Sequence, residues 1–140
     1  MRVLPTTAHG IVDYLTAFTL LVAPKLWRLD EVPPAATTFY AAGGSLTATS
    51  LLTDYELSLA NVVPMRAHLV LDMASGVALA ASPFLLGFRG GGPRYWIPHV
   101  AIGATEILTA AVTKPKRISK RSRVAGALKK IGSGLRTAQR

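Results

Sequence analysis

Four stretches of this chain, 8–27, 36–53, 67–88 and 95–113, are apolar or small on all sides, with charge almost excluded from their interiors. A soluble amphipathic helix of such length needs a polar face with several Lys or Glu, and none of the four has one. Each is close to the ~20 residues that cross a ~30 Å hydrocarbon layer at about 1.5 Å per residue. The pattern therefore predicts an all-α chain of four transmembrane helices rather than a soluble four-helix bundle. Val32 to Thr53 is free of charge, whereas the other stretches contain Asp13, Asp72 and Glu106. The first stretch is not read as a secretory signal, because it carries Asp13 and lacks a small-x-small cleavage site.

The pattern also repeats. His9, Asp13, Thr16 and Pro24 in HGIVDYLTAFTLLVAP recur as His68, Asp72, Ser75 and Pro83 in HLVLDMASGVALAASP, always at an offset of 59. The following stretches match at an offset of 60, pairing Gly43 with Gly103, Thr49 with Thr109 and Thr53 with Thr113. A tandem duplication of a two-helix unit follows, with repeat one at 8–53 and repeat two at 67–113, inside a helical domain of residues 1–113. Because each unit crosses the membrane twice, the repeats run parallel and are related by an axis along the membrane normal.

Composition sharpens the picture at one place. Half of the 140 residues are apolar and 16% are charged, against the quarter or so expected of a soluble domain. Ten of the sixteen bases fall within 114–140, which has no acid, so the formal charge of +9 belongs to the tail and the body is nearly neutral. That arrangement excludes a nucleic-acid-binding fold, which would spread its basic surface over a folded module. By the positive-inside rule the tail is cytoplasmic, and four crossings put the N-terminus there too. Within the tail, Val124, Leu128, Ile131 and Leu135 follow helical spacing with bases opposite, so the expected partner is a bilayer with anionic headgroups, met by Lys116, Arg117, Lys120, Arg121, Arg123, Lys129 and Lys130. Gly126, Gly132 and Gly134 keep open the alternative of a solvated, unstructured tail.

Local signals fill in the loops. Pro24 and Pro83 are expected to break their helices near the outer surface, with Trp27, Phe84, Phe88, Tyr95 and Trp96 anchoring at headgroup depth. Residues 89–94 read as a flexible loop, and no GK[ST] follows to make them a phosphate loop. Thr53-Asp54-Tyr55-Glu56 has capping-box spacing, which predicts a short interfacial helix over 54–61. Gly43 with Thr47, and Gly76 with Ala80, give small-residue faces for close helix packing, within the chain or between protomers of a homo-oligomer.

The chemistry concentrates in one place. His and Asp at i and i+4 share a helix face, and the duplication sets two such pairs, His9/Asp13 and His68/Asp72, at matching depth, with Glu106 at a similar level on the fourth helix. Ionisable groups inside a membrane normally face the bundle interior and pair, so one buried cluster is expected. The expected role is structural or envelope-associated, with the cluster fixing helix packing; the alternative is a protein that binds, conducts or senses protons or cations there, a divalent metal included, and haem between His9 and His68 is a further option. His99 is expected at the interface. No Ser-His-Asp constellation is present, and without cysteine there is no thiolate site or disulfide, so the chain reads as non-enzymatic with no required cofactor.

SPFLLGF at 82–88, its degenerate partner APKLW at 23–27, the paired HGIVDY and HLVLD starts and the LLTDYEL linker together resemble the SPW-repeat family of small bacterial integral membrane proteins. The resemblance covers residues 8–113 and departs at the name-giving tryptophan, which is Phe84 in one repeat and Lys25 in the other. It implies a two-repeat, multi-pass protein of the bacterial plasma membrane and no particular activity.

Overall fold

The computed structural model describes residues 2–115, and these form four α-helices: α1 Thr6–Leu26, α2 Pro33–Leu52, α3 Met65–Leu85 and α4 Pro93–Val112. The tail bases Lys116, Arg117, Lys120, Arg121, Arg123, Lys129 and Lys130 lie outside the described residues. Every helix starts two or three residues earlier than the apolar pattern suggests, because proline opens it. Pro5 and Pro64 are N-caps, while Pro33 and Pro93 are first helical residues, where a missing N–H costs nothing. Among the described residues α3 is the helix long and apolar enough to cross a membrane by length and composition. Threonine, glycine, proline and the isolated charges lower the others.

The helices pair as the duplication implies, α1 mainly with α2 and α3 mainly with α4. Repeat equivalence extends to the segments before α1 and α3, where Val3-Leu4-Pro5 matches Val62-Val63-Pro64 at the offset of 59. Val3 and Leu4 donate their N–H groups to the Val112 carbonyl and Lys114 donates to Leu4, while Val62 and Val63 donate to Leu52 and Asp54 donates to Val63. These two clips are repeat-related atom for atom. Each ties the entry of an odd helix to the exit of the even helix in the other hairpin or the one before it, so the four helices close into a ring. The repeat unit thus begins at residue 3 and at residue 62, before the boundaries expected at 8 and 67.

Pro24 and Pro83 do not end their helices. α1 and α3 run on past them, and the chain continues with Trp27 N–H donating to the Ala23 carbonyl at 2.8 Å and Leu86 N–H to Ser82 at 2.9 Å. Pro83 leaves the Leu79 carbonyl without its helical donor, and the Ser82 hydroxyl supplies one at 2.7 Å. Both hairpins then turn through a left-handed residue, Arg28 at φ 55° and its repeat equivalent Gly87 at φ 74°, into a short 3₁₀ turn. The glycine-rich connection is therefore shaped by this turn, Phe88–Gly91, which seats Phe88 in the core. Phe88 and Tyr95, expected as surface anchors, are buried, while Trp27 and Phe84 remain exposed. Tyr95 is held there because its hydroxyl donates to Glu31 at 2.8 Å, alongside Arg94 at 2.6 Å. That hydroxyl, with the two arginines around it, keeps the Glu31 carboxyl below its ordinary range and links the repeats at the end opposite the clips.

The predicted helix over 54–61 is absent. Its capping residues are used elsewhere: the Thr53 hydroxyl donates to the Thr49 carbonyl at 2.6 Å, and Glu56 accepts from the Thr6 hydroxyl at 2.8 Å. The segment forms turns that fold back under the bundle, where Leu59 and Ala60 donate to Leu51. Tyr55 is carried inside and turns the Cε2 edge of its ring to Gly10, so that a Cβ on that glycine would overlap the ring. Burial pushes the Tyr55 phenol well above its ordinary value.

The distribution of polarity is inverted relative to a water-soluble bundle. Leu15, Phe18, Val70, Val77, Phe84 and Leu108 are exposed, whereas His9, Asp13, His68, Asp72, His99 and Glu106 are buried.

Candidate buried His–Asp site

α1 and α3 lie diagonally across the ring, and the repeat turns the same face of each toward the bundle centre, where their side chains meet. The i, i+4 spacing stacks each aspartate one turn beyond its histidine. The pairs cross rather than stay on their own helices. His9 Nε2 lies 3.0 Å from Asp72 Oδ2 and 3.3 Å from Asp13 Oδ2, and His68 Nε2 lies 2.9 Å from Asp13 Oδ2 and 3.2 Å from Asp72 Oδ2. One nitrogen or oxygen from each of the four residues falls within 4.8 Å of every other, and all four side chains are buried. The imidazole rings meet edge-on with centroids 5.4 Å apart.

The far side of each imidazole is fixed by a threonine that the repeat also supplies. His68 Nδ1 is 2.9 Å from Thr53 Oγ1, and His9 Nδ1 is 2.9 Å from Thr113 Oγ1. Each of these hydroxyls is also 2.6 or 2.5 Å from a helix carbonyl, Thr49 or Thr109 respectively. A carbonyl only accepts, so the hydroxyl hydrogen is committed there, and the Nδ1–H must donate to the hydroxyl oxygen. Both Nε2 atoms therefore point their second functionality at the carboxylates. With Nδ1 protonated, the four contacts at the centre require protons supplied by imidazolium or by carboxylic acid, or a cation in their place.

The sequence placed Glu106 in the same cluster, and the structure sets it apart. It is buried on α4 with the Ser75 hydroxyl nearby, and among the described residues neither of its carboxylate oxygens makes a well-formed hydrogen bond. It lies within electrostatic reach of Asp72 and Asp13 but outside the four-atom group. Its repeat equivalent is Leu46, which accounts for a symmetric site with an asymmetric carboxyl beside it. An unpaired buried carboxylate is costly, so Glu106 carries its own proton or faces an ion.

His99 is not an interfacial residue. It is wholly buried, with Nε2 at 3.0 Å from the Ala35 carbonyl and 2.9 Å from the Thr38 hydroxyl, between the rings of Phe39 and Phe88. Its repeat equivalent is Phe39 itself, so the two occupy related positions at the opposite end of the bundle from the crossed pairs. Sequence reasoning also missed the roles of Thr53, Thr113 and Tyr55. The first two carry a visible signal, since they match across the repeat at the same offset as Gly43 and Gly103; Tyr55 has no counterpart, its related position being Pro115.

A search of the curated proteins and of the solved structures gives no match. A family model does match, that of the SPW repeat domain, over residues 7–113. That span takes in both hairpins, both crossed pairs and both threonines, and the chain belongs to the SPW repeat domain family.

Proposed function

We propose that the chain is a multi-pass protein of the bacterial plasma membrane, without enzymatic activity of its own, whose two repeats enclose a site holding exchangeable protons or a cation. The observation that carries this reading is the convergence of His9, Asp13, His68 and Asp72 into one buried group with ligand atoms within 4.8 Å of one another. Ionisable side chains are expensive inside a bilayer and are retained there for function or for pairing. Family membership and the apolar helix α3 point to a membrane protein. The reading is extended to all four helices because each exposes large apolar side chains, Leu15 and Phe18 on α1, Tyr40 and Leu52 on α2, Val70 and Val77 on α3, and Ile97 and Leu108 on α4. The edge-on closeness of the imidazoles argues against haem, which needs its axial nitrogens on opposite faces of a flat ring. A second reading, in which the crossed pairs serve packing alone, is favoured by the fact that every imidazole nitrogen of the pairs already has a partner.

Infrared difference spectroscopy on the reconstituted protein separates the two. In the wild type, a pH step or an added cation should change the carboxylic-acid band of the site, and the change should vanish in Asp13→Asn/Asp72→Asn. A band that stays constant over the folded pH range and with every cation tried would leave the packing role.

For the topology, both termini and residues 54–66 are proposed to be cytoplasmic, with 28–34 and 89–94 outside, and the basic tail to lie on anionic headgroups. The chain has no cysteine, so single cysteines can be introduced without background. An impermeant thiol reagent applied to intact cells should modify a cysteine replacing Gly90 and spare one replacing Ser122. The reverse pattern would invert the orientation, and modification of both would break the four-span arrangement.

A further inference from the structure

We propose that the crossed pairs form a binding site for one divalent transition-metal ion of the zinc class, with Nε2 of His9 and His68 and Oδ2 of Asp13 and Asp72 as its four ligands. The proposal rests on the reading that the site holds ions, and goes on to name the ion and its ligand atoms. Four observations carry it.

The donors are of the right kind and number. Two imidazole nitrogens and two carboxylate oxygens suit zinc and its first-row neighbours, whereas magnesium and calcium favour all-oxygen sets. The spacing is close to what coordination needs. Bonds of about 2.0–2.1 Å directed to the corners of a tetrahedron set neighbouring ligand atoms about 3.3–3.4 Å apart. Four of the six ligand–ligand separations, those between His and Asp, are 3.0, 3.3, 2.9 and 3.2 Å, within a few tenths of an ångström of that value, and all four ligand atoms lie within 4.8 Å of one another.

The surrounding groups prepare the nitrogens. A metal-bound imidazole uses a lone pair on one nitrogen and carries its proton on the other, usually donated to an oxygen that fixes the ring. Thr53 and Thr113 do this for both rings, because their own hydrogens are spent on helix carbonyls. Two structural threonines at the C-terminal ends of α2 and α4 thus hold both Nε2 lone pairs toward the carboxylates.

Charge balances as well. Two neutral imidazoles, two carboxylates and a dication sum to zero, as do the same four groups with two protons. Binding is then an exchange in which one M²⁺ enters and two protons leave, with no charge added to the protein interior. Beside the site, Glu106 offers two buried oxygens that make no well-formed hydrogen bond among the described residues, with the Ser75 hydroxyl nearby, a carboxylate suited to an ion or an ion-bound water.

The test uses the full chain in detergent, stripped with a chelator and dialysed against zinc or cobalt(II) chloride. One equivalent per chain should bind, and the cobalt form should develop the strong visible absorption of a tetrahedral site. Asp13→Asn/Asp72→Asn should abolish binding while helicity and monodispersity are kept. Thr53→Val and Thr113→Val, which leave all four ligands in place, should each weaken binding about 10–100-fold. Folded wild type that binds no metal overturns the metal assignment, and the proton-exchange reading then stands or falls on the infrared experiment. Equal binding by wild type and the double variant overturns it too, because the metal would then sit elsewhere.

Discussion

Asp72→Ala is expected to destabilise the protein by about 3–5 kcal/mol, the usual cost of removing one partner from a buried charge pair. The change leaves two imidazole nitrogens facing a single carboxylate, with Thr53 and Thr113 still holding the rings in place. The side chain at position 72 is almost completely buried, so water cannot take its place cheaply. Asp13→Ala should cost a similar amount, since the repeat makes the two positions equivalent. The double variant Asp13→Asn/Asp72→Asn should be much milder, within about 1–2 kcal/mol of wild type. Each amide NH₂ can donate to the nearest Nε2 of a neutral imidazole, which keeps every ring nitrogen satisfied and removes the ionisable carboxyls together with the shared protons. Thermal unfolding in a mild detergent, followed by circular dichroism, measures all three. A single alanine variant as stable as wild type would mean that the crossed contacts contribute nothing to holding α1 against α3.

That contrast matters because the double variant is the one used to ask what the site does. A protein that folds but no longer exchanges protons or metal locates the function in the carboxylates, whereas an unfolded one would say nothing of chemistry.

Much of this architecture was legible in the sequence, for an identifiable reason. A duplicated unit states every constraint twice, so an isolated His at i and Asp at i+4 becomes a matched pair of faces that must meet. The convergence of His9, Asp13, His68 and Asp72 follows from that. Which atoms touch does not. Spacing along one helix sets a side chain's face but not its rotation toward a neighbour, and the shortest contacts proved to be between helices rather than within them. The backbone clips at Leu4–Thr113 and Thr53–Val63 were marked only by a short apolar match, Val3-Leu4-Pro5 with Val62-Val63-Pro64 at the offset of 59, which repeats starting at 8 and 67 leave out. The capping-box signal at 53–56 failed because tertiary partners claimed its two side chains, Thr53 for His68 and Glu56 for Thr6. His99 was misjudged for a similar reason. It sits near the start of an apolar run, where position alone suggests an interface, but the 3₁₀ turn folds Phe88 over it.

The second large effect is expected at Gly103, where alanine should cost about 3 kcal/mol, at or above the upper end of the usual range for overpacking. A Cβ there would collide with the Gly76 carbonyl oxygen and come within 2.9 Å of the Ala80 nitrogen, and backbone atoms cannot rotate out of the way. The reciprocal change, Gly76→Ala, would put a Cβ 2.6 Å from the Gly103 carbonyl oxygen, so the two glycines let α3 and α4 approach to backbone contact. The equivalent glycine of repeat one makes a sharper argument. Gly43 faces Leu20 Cβ at 2.9 Å and Leu21 Cγ and Cδ2 at 3.0 and 3.1 Å, and position 17, the repeat equivalent of Gly76, is already alanine. Leu20 Cβ is fixed to its backbone, but the overlap is shallower than the one at Gly103 and the Leu21 atoms can shift, so Gly43→Ala should cost less, about 1–2 kcal/mol. Gly44, with nothing within 4 Å, is the control, and alanine there should be neutral or stabilising by a few tenths of a kcal/mol to about 1. The order Gly103, Gly43, Gly44 in unfolding temperature, at unchanged oligomer size, is the expected result. Should Gly103→Ala instead alter oligomer size while leaving the unfolding temperature alone, the small-residue faces would join protomers to one another and not the two helices of a repeat.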